Sequence, residues 1–269
     1  MSVYHTPAGI PVTVGTLSRI GSRRQNEDAC GFWVTDAGFC FVVSDGAGGH
    51  VGGAVASELA VKAVLGDYAA TPAFSPDAVA RSMALAEARI QEGRSGNDTL
   101  RDMTATIAVL FVDAQARNAL HGHLGDTRIY VFRRGRARQL TRDHSLVQNL
   151  VDAGYIAKED LRKHPERSVL LAALGIESEF SPSTSEQAVE VHEGDAFLIC
   201  SDGLWEGLSE NDMEDALMRA HSVEEWLALL ENQVVRNDKP NQDNFTGVAV
   251  WIGSPGDITL VPGRTALPG

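Results

Sequence analysis

The stretch "FVVSDGAGGHVGG", residues 41–53, poses the question on which the fold turns. An apolar run climbs to Val43, breaks at Asp45, and then places five glycines within eight residues. The design recurs at "FLICSDG", residues 197–203, so two strands far apart in sequence both end in Ser-Asp-Gly. An Asp-Gly pair after a strand ordinarily marks a hairpin turn. Here the sequence after Gly46 and after Gly203 turns helical or irregular, whereas a hairpin needs an immediate partner strand. A nucleotide-binding glycine loop fits no better. "GAGGHV" ends in Val51 where that fingerprint needs Gly or Ala, and no Lys-Ser/Thr pair follows to make a P-loop.

A hard divalent cation gives a better reason for a carboxylate at a strand end. Mg²⁺ or Mn²⁺ takes oxygen ligands in octahedral geometry, commonly a few carboxylates plus waters. A rigid strand end holds the carboxylate still, and a following glycine lets the backbone come close enough to lend a carbonyl. Several such strands side by side bring their terminal aspartates to one spot. The candidates are Glu27 and Asp28 in "RRQNEDAC", Asp45, Asp126 in "HLGDTR", Asp202, and Asp243 in "NQDNFT". Each alone reads as readily as a surface loop carboxylate; together they are many for one fold to place at element ends by chance.

Composition sets the frame. With 269 residues, 43% hydrophobic and 22% charged, the chain reads as a soluble globular protein of one large or two small domains. No apolar stretch reaches the roughly 18 residues of a membrane helix. The opening "MSVYHTPAGIPV" lacks the basic and apolar regions of a secretory signal. Cys30, Cys40 and Cys200 lie in apolar surroundings without metal spacing, as buried thiols of a reducing compartment do, so a cytoplasmic location is expected. The net charge of −13 argues against a nucleic-acid partner, which ordinarily demands a basic stripe.

Strand-like runs fall at 12–18, 31–35, 39–45, 104–113, 119–125, 128–134, 195–202 and 246–252, mixing β-branched and aromatic residues. Residues 113–118 and 125–127 read as hairpin connections, which would pair their flanking strands antiparallel. Helical spacing of apolar residues marks 55–70, and 76–94 follows with Ser75 as N-cap and Pro76 at the first position. Ser222 and Glu225 spell a capping box ahead of a helix over 222–237, and a shorter helix spans 209–219. From Gly253 the chain is rich in Gly and Pro, as a loose tail is. This order is no regular βαβ alternation; it suits antiparallel sheet covered by helices, an α+β architecture.

With these residues in place, the chain resembles the PPM family of metal-dependent serine/threonine protein phosphatases, the type-2C phosphatases, in its compact bacterial form. The matching pieces are "RRQNED", "VVSDGAGGH", "MTATIAVL", "HLGDTRIY", "LTRDHS", "HPERSVLLAALG", "ICSDGLWEGL" and "QDNFTGVAV", in the family's order and spanning roughly residues 12 to 252. The resemblance implies a four-layer α-β-β-α sandwich, with residues 1–252 forming a single domain and two Mn²⁺ or Mg²⁺ ions between the sheets. It implies that Asp45 bridges both ions, that the Gly46 carbonyl serves one, and that Asp202 and Asp243 serve the other. Glu27 and Asp28 would act mainly through metal-bound waters, and Asp126 would join Asp202 around a third ion or else cap its turn. Arg23, four residues before Glu27, stands where the family's arginine grips the substrate phosphate, a bidentate task for a planar guanidinium.

The resemblance also implies a flap over about 141–175 near the active site, within which His164 reads as structural. One departure concerns Ala47, which stands where eukaryotic members carry a histidine thought to protonate the leaving group, a residue many bacterial relatives also lack. His50 is nearby and reads as structural. The implied function is hydrolysis of phosphoserine and phosphothreonine in proteins, opposing a serine/threonine kinase. Two rivals are a phosphoesterase for small metabolites and a catalytically silent phosphoprotein binder. The retained aspartates weigh against the second.

Overall fold

The computed structural model describes residues 2–47, 50–95, 98–176, 181–237 and 241–253. The chain opens with four strands, β1 (Ser2–His5), β2 (Pro11–Arg19), β3 (Asp28–Thr35) and β4 (Gly38–Ala47), followed by two long helices, α1 (His50–Ala70) and α2 (Pro76–Arg94). Next come β5 (Thr104–Ala105), β6 (Ile107–Asp113), β7 (Asn118–Leu124), β8 (Arg128–Arg133) and β9 (Arg136–Gln139). The short helix α3 (Leu146–Asp152) precedes β10 (Ser183–Thr184), β11 (Val189–Glu190) and β12 (Ala196–Cys200). Three helices, α4 (Asp202–Trp205), α5 (Glu210–Arg219) and α6 (Val223–Arg236), lead to β13 (Phe245–Ile252).

These strands form two antiparallel sheets. One runs β1-β2-β13-β12-β8-β9, the other β10-β7-β6-β4-β3, with β5 on β4 and β11 on β7. Pleat alternation sorts each central strand into two apolar faces. In β4, Phe39, Phe41 and Val43 join Ile129, Phe197, Ile199, Val248 and Val250 in the core between the sheets. The alternate residues Cys40 and Val42 instead meet Val61, Met83 and Ile90 of α1 and α2. On the other sheet, Leu198, Ala249 and Trp251 pack against Met213, Trp226 and Leu230 of α5 and α6. Strands buried on both faces read in sequence as unbroken apolar runs. The result is the expected four layers, helix-sheet-sheet-helix.

Several local expectations need correction. Residues 125–127 are no hairpin: β7 and β8 belong to different sheets. Gly125, at φ +99°, turns the chain out of one sheet, and it enters the other at Arg128. The run 104–113 is interrupted at Thr106, whose hydroxyl accepts from the Asp45 N–H at 3.1 Å. Helix α1 begins at His50, five residues earlier than its apolar spacing suggested. Ser222 does cap α6, accepting from Glu225 N at 3.2 Å, but the Glu225 carboxylate takes the N–H of His221 rather than that of Ser222. The reciprocal box belongs to α5, between Ser209 and Asp212. Beyond residue 253 the expected tail lies outside the described residues, as does the His50 side chain.

The crossing from β7 to β8 is anchored by a buried ion pair. Arg128 donates to both carboxylate oxygens of Asp143, at 2.9 and 2.6 Å, and to the Tyr130 hydroxyl at 3.0 Å. Its guanidinium carbon lies 3.4 Å from the centre of the Trp205 ring. Trp205 in turn donates its indole N–H to the carbonyl of Asp126 at 2.9 Å. Removing one partner of a buried pair strands the other charge in a poor dielectric. Asp143→Ala is therefore expected to lower unfolding stability by about 3–5 kcal/mol, read from urea denaturation.

Candidate active site

Pleat parity carries the apolar inter-sheet face of β4, residues 39, 41 and 43, on to Asp45. Asp45 is paired in register with Asp28 at the start of β3. Asp126 sits in the crossing between the sheets, Asp202 opens α4 just past β12, and Asp243 lies two residues before β13. The cleft at this end, roughly 360 Å³, is lined among others by Arg23, Glu27, Asp45, Gly46, Asp126, Asp202 and Asp243. Asp28 lies beneath, paired in register with Asp45 and close enough for the two carboxyls to feel one another. The structure thus gathers every carboxylate that the sequence singled out, from both sheets, at one end of the sandwich.

The glycines answer the opening question. A Cβ on Gly46 would lie 1.9 Å from the carbonyl oxygen of Gly53 in the first turn of α1. One on Gly203 would lie 2.0 Å from the carbonyl oxygen of Asn244. Neither glycine has a positive φ. Both are required by the close approach of another backbone rather than by flexibility.

The electrostatics are those of acids forced together. Asp45 is within hydrogen-bonding reach of both Asp28 and Asp202. Withdrawal from water, and then the charges of Asp28, Asp202 and Asp126, hold the Asp45 carboxyl well above the usual carboxylate range. Asp126 is raised likewise, by burial first and Asp202 second. Asp202 is pushed up to about 7, by burial and then by Glu206, Asp243 and Asp28. Asp28 rises to about 6 by burial, although hydrogen bonds from Ser201 and Thr246 pull the other way. Two of these carboxylate oxygens, Oδ1 of Asp28 and Oδ1 of Asp202, are sealed from solvent with no hydrogen-bond partner.

A buried acceptor without a donor is costly unless something else takes its lone pair. A cation does so, and an all-oxygen set suits a hard one. Among the described residues, no three acidic, His or Cys side chains are yet gathered in the arrangement of a finished metal centre. Of the site acids, Asp243 is held by Arg23, whose Nη2 lies 2.5 Å from its Oδ2. That contact raises the pKa of the guanidinium.

Some supporting residues escaped the sequence reading. Asn244, the N of "QDNF", is a hub: its side-chain Oδ1 accepts from Glu27 N at 2.8 Å, and its side-chain Nδ2 donates to the carbonyls of Ile20 and Gln25 at 2.8 and 3.0 Å. Through it the loop carrying Arg23 and Glu27 is fastened to the one carrying Asp243. Its only signal in the sequence is an Asn beside a candidate ligand. Thr106 bonds Asp45 N and also shares a 2.6 Å contact with the Thr127 hydroxyl, linking two site loops.

In the segment 141–175, Ser168, Leu170 and Ala173 line the cleft. Arg167 holds Glu206 at 2.8 Å, and Leu174 exchanges backbone hydrogen bonds with Ala105. The His164 ring accepts from Glu166 N at 3.2 Å through Nδ1. The three cysteines are free, and burial pushes each thiol up, Cys30 to about 11. Thiolate chemistry therefore has no support here.

The arrangement recurs in known proteins. The family model for protein phosphatase 2C matches residues 16–238. The serine/threonine phosphatase Stp of Listeria welshimeri is 34% identical over 237 residues, covering 85% of this chain and 90% of that protein. The crystal structure of the Mycobacterium tuberculosis serine/threonine phosphatase PstP/Ppp is 29% identical, with a TM-score of 0.77 over 91% of this chain and 99% of that one. A second structure, the catalytic domain of PstP in complex with two manganese ions, is 27% identical with a TM-score of 0.78, over 91% and 99% of the two chains. Strand-end acids converging from two sheets, a matching family model along most of the length and relatives alike across nearly their whole length lead to one conclusion: the chain belongs to the protein phosphatase 2C family.

Proposed function

We propose that this protein hydrolyses phosphoserine and phosphothreonine in proteins, with Mn²⁺ or Mg²⁺ as its cofactor, and so reverses the work of a serine/threonine kinase. The observation that carries this reading is the convergence of six carboxylates on one cleft, two of them with sealed oxygens that no donor reaches. The two manganese ions in the related PstP catalytic domain support it further. Residues 1–252 act as one phosphatase domain in this reading, in the cytoplasm. Among the described residues no helix is long and apolar enough to cross a membrane.

The roles follow the positions. Asp45 and Gly46 line the cleft, and the Asp45 carboxylate and Gly46 carbonyl would hold two ions together with Asp202 and Asp243. Glu27 and Asp28 would complete the set through water, and Asp126 with Asp202 would take a third ion. When bound, such ions supply Lewis-acid charge to the phosphoryl oxygens and make a water nucleophilic at neutral pH. Arg23, with 59% of its side chain exposed, reaches over the rim of the cleft and can turn its fork to a phosphate. Ala47 offers no proton to the departing serine or threonine oxygen, and solvent entering the cleft can supply one.

Three outcomes test this reading. Purified protein should release phosphate from a phosphothreonine peptide with Mn²⁺ or Mg²⁺ and not with chelator. Faster turnover of sugar phosphates than of phosphopeptides would reassign the substrate class. Asp45→Asn should abolish turnover while leaving the metal-free melting temperature equal or higher, because one of several crowded charges is gone. The rise in melting temperature on adding Mn²⁺, present in the parent protein, should then shrink or vanish. Arg23→Ala should lower kcat/KM by roughly 10- to 100-fold, the worth of charge-assisted hydrogen bonds to phosphate, without changing the fold in circular dichroism.

A further inference from the structure

The Ser-Asp-Gly tripeptide occurs at the ends of β4 and β12, yet the pleat is out of phase between the two. In β4 the inter-sheet residues are Phe39, Phe41 and Val43, so the aspartate, Asp45, continues that face. In β12 they are Phe197 and Ile199, so it is the serine, Ser201, that continues it. The two serines consequently do different things. The Ser44 hydroxyl donates to the carbonyl of Thr106 at 2.6 Å, on its own sheet. That of Ser201 crosses to the other sheet and donates to Asp28 Oδ2 at 2.8 Å.

The direction of that hydrogen bond is set by the backbone. Thr246 N donates to the Ser201 oxygen at 2.9 Å, filling an acceptor site. The alternative acceptor for the hydroxyl proton, the Thr246 carbonyl, is 3.5 Å away, so the proton belongs to Asp28. With Oδ2 held in this way, the other oxygen, Oδ1, is the one left sealed and without a donor. Ser201 itself is fully buried.

We propose that Ser201 is a positioning residue for the metal centre: its hydroxyl, aimed by the β13 backbone, clamps one oxygen of Asp28 across the sandwich so that the other faces the cation site. This rests on the metal-dependent reading given above. It assigns the first serine-aspartate pair a structural serine and the second a serine that tunes the site. Outer partners that orient a ligand typically change metal affinity by about 10- to 100-fold when removed.

The test is the apparent Mn²⁺ dissociation constant, taken from the rise of melting temperature with free Mn²⁺ in protein first stripped with chelator. Ser201→Ala should weaken Mn²⁺ by about 10-fold or more. Ser44→Ala, an equally buried serine in the same tripeptide, should stay within about 2-fold of the parent, although it too loses stability. In an Asp28→Ala background, Ser201→Ala should cost nothing further, because its target is gone. Parent-like affinity in Ser201→Ala, an equal loss in Ser44→Ala, or an undiminished loss in the Asp28→Ala background would each overturn the assignment. If Ser201→Ala does not fold, Ser201→Cys, of similar volume and a much weaker donor, is read against the same limits. Absence of any Mn²⁺ effect on the parent protein is a different result, since it removes the metal reading itself.

Discussion

The constraint on which this structure depends is the crowding of acids where two sheets meet. Asp28, Asp45 and Asp202 crowd together at the base of the cleft, and their carboxyls are held above the normal range because water is excluded and like charges adjoin. Left to itself such a cluster would push the sheet ends apart. It is held by what surrounds it. An apolar core from Val12 to Ile252 joins the two sheets along their length, and the cluster occupies only one end. The energy that keeps the acids together comes from surface buried elsewhere, a common arrangement at functional sites.

The neighbouring features read as consequences of that crowding. Gly46 and Gly203 are glycines because two further backbones come within van der Waals distance of the strand ends. Asn244 fastens one site loop to another with three hydrogen bonds, where a less satisfied amide would leave both loose. Arg128 and Asp143, although buried, lie behind the site and tie the inter-sheet crossing to the segment that follows β9. At the rim, positive charge reaches the carboxylates directly through Arg23, which holds Asp243.

Much of this was legible because the core strands are buried on both faces and the helices are amphipathic. Strand runs 39–45 and 246–252 and helix 76–94 follow directly from apolar runs and caps, and α2 keeps its Ser75 cap and Pro76. Three of the six carboxylates, Asp45, Asp126 and Asp202, were legible as strand-end residues beside a glycine, the other three as acids near a strand start, and all six meet. The failures share a cause. Residues 125–127 have the composition of a hairpin turn, but whether β8 pairs with β7 or joins the other sheet depends on partners more than 60 residues away in the chain, Ala196–Cys200. The early start of α1 is equally non-local, since glycine-rich sequence carries no helical signal of its own and gains order by packing against Met103 and Glu27.

By itself, then, the chain's alphabet determined the kind of layer each segment enters, the residues at its ends and the hard-oxygen chemistry those residues can support. These are properties of side-chain polarity and period, which act over a few residues. The tertiary structure alone decided which strands share a sheet, and therefore which strand ends meet. It also decided the phase of each pleat, and so which member of each Ser-Asp-Gly faces the partner sheet. Identical tripeptides can differ in this way because a one-residue shift in a pleated strand turns every side chain to the opposite face, and only the packing of the whole strand selects the phase.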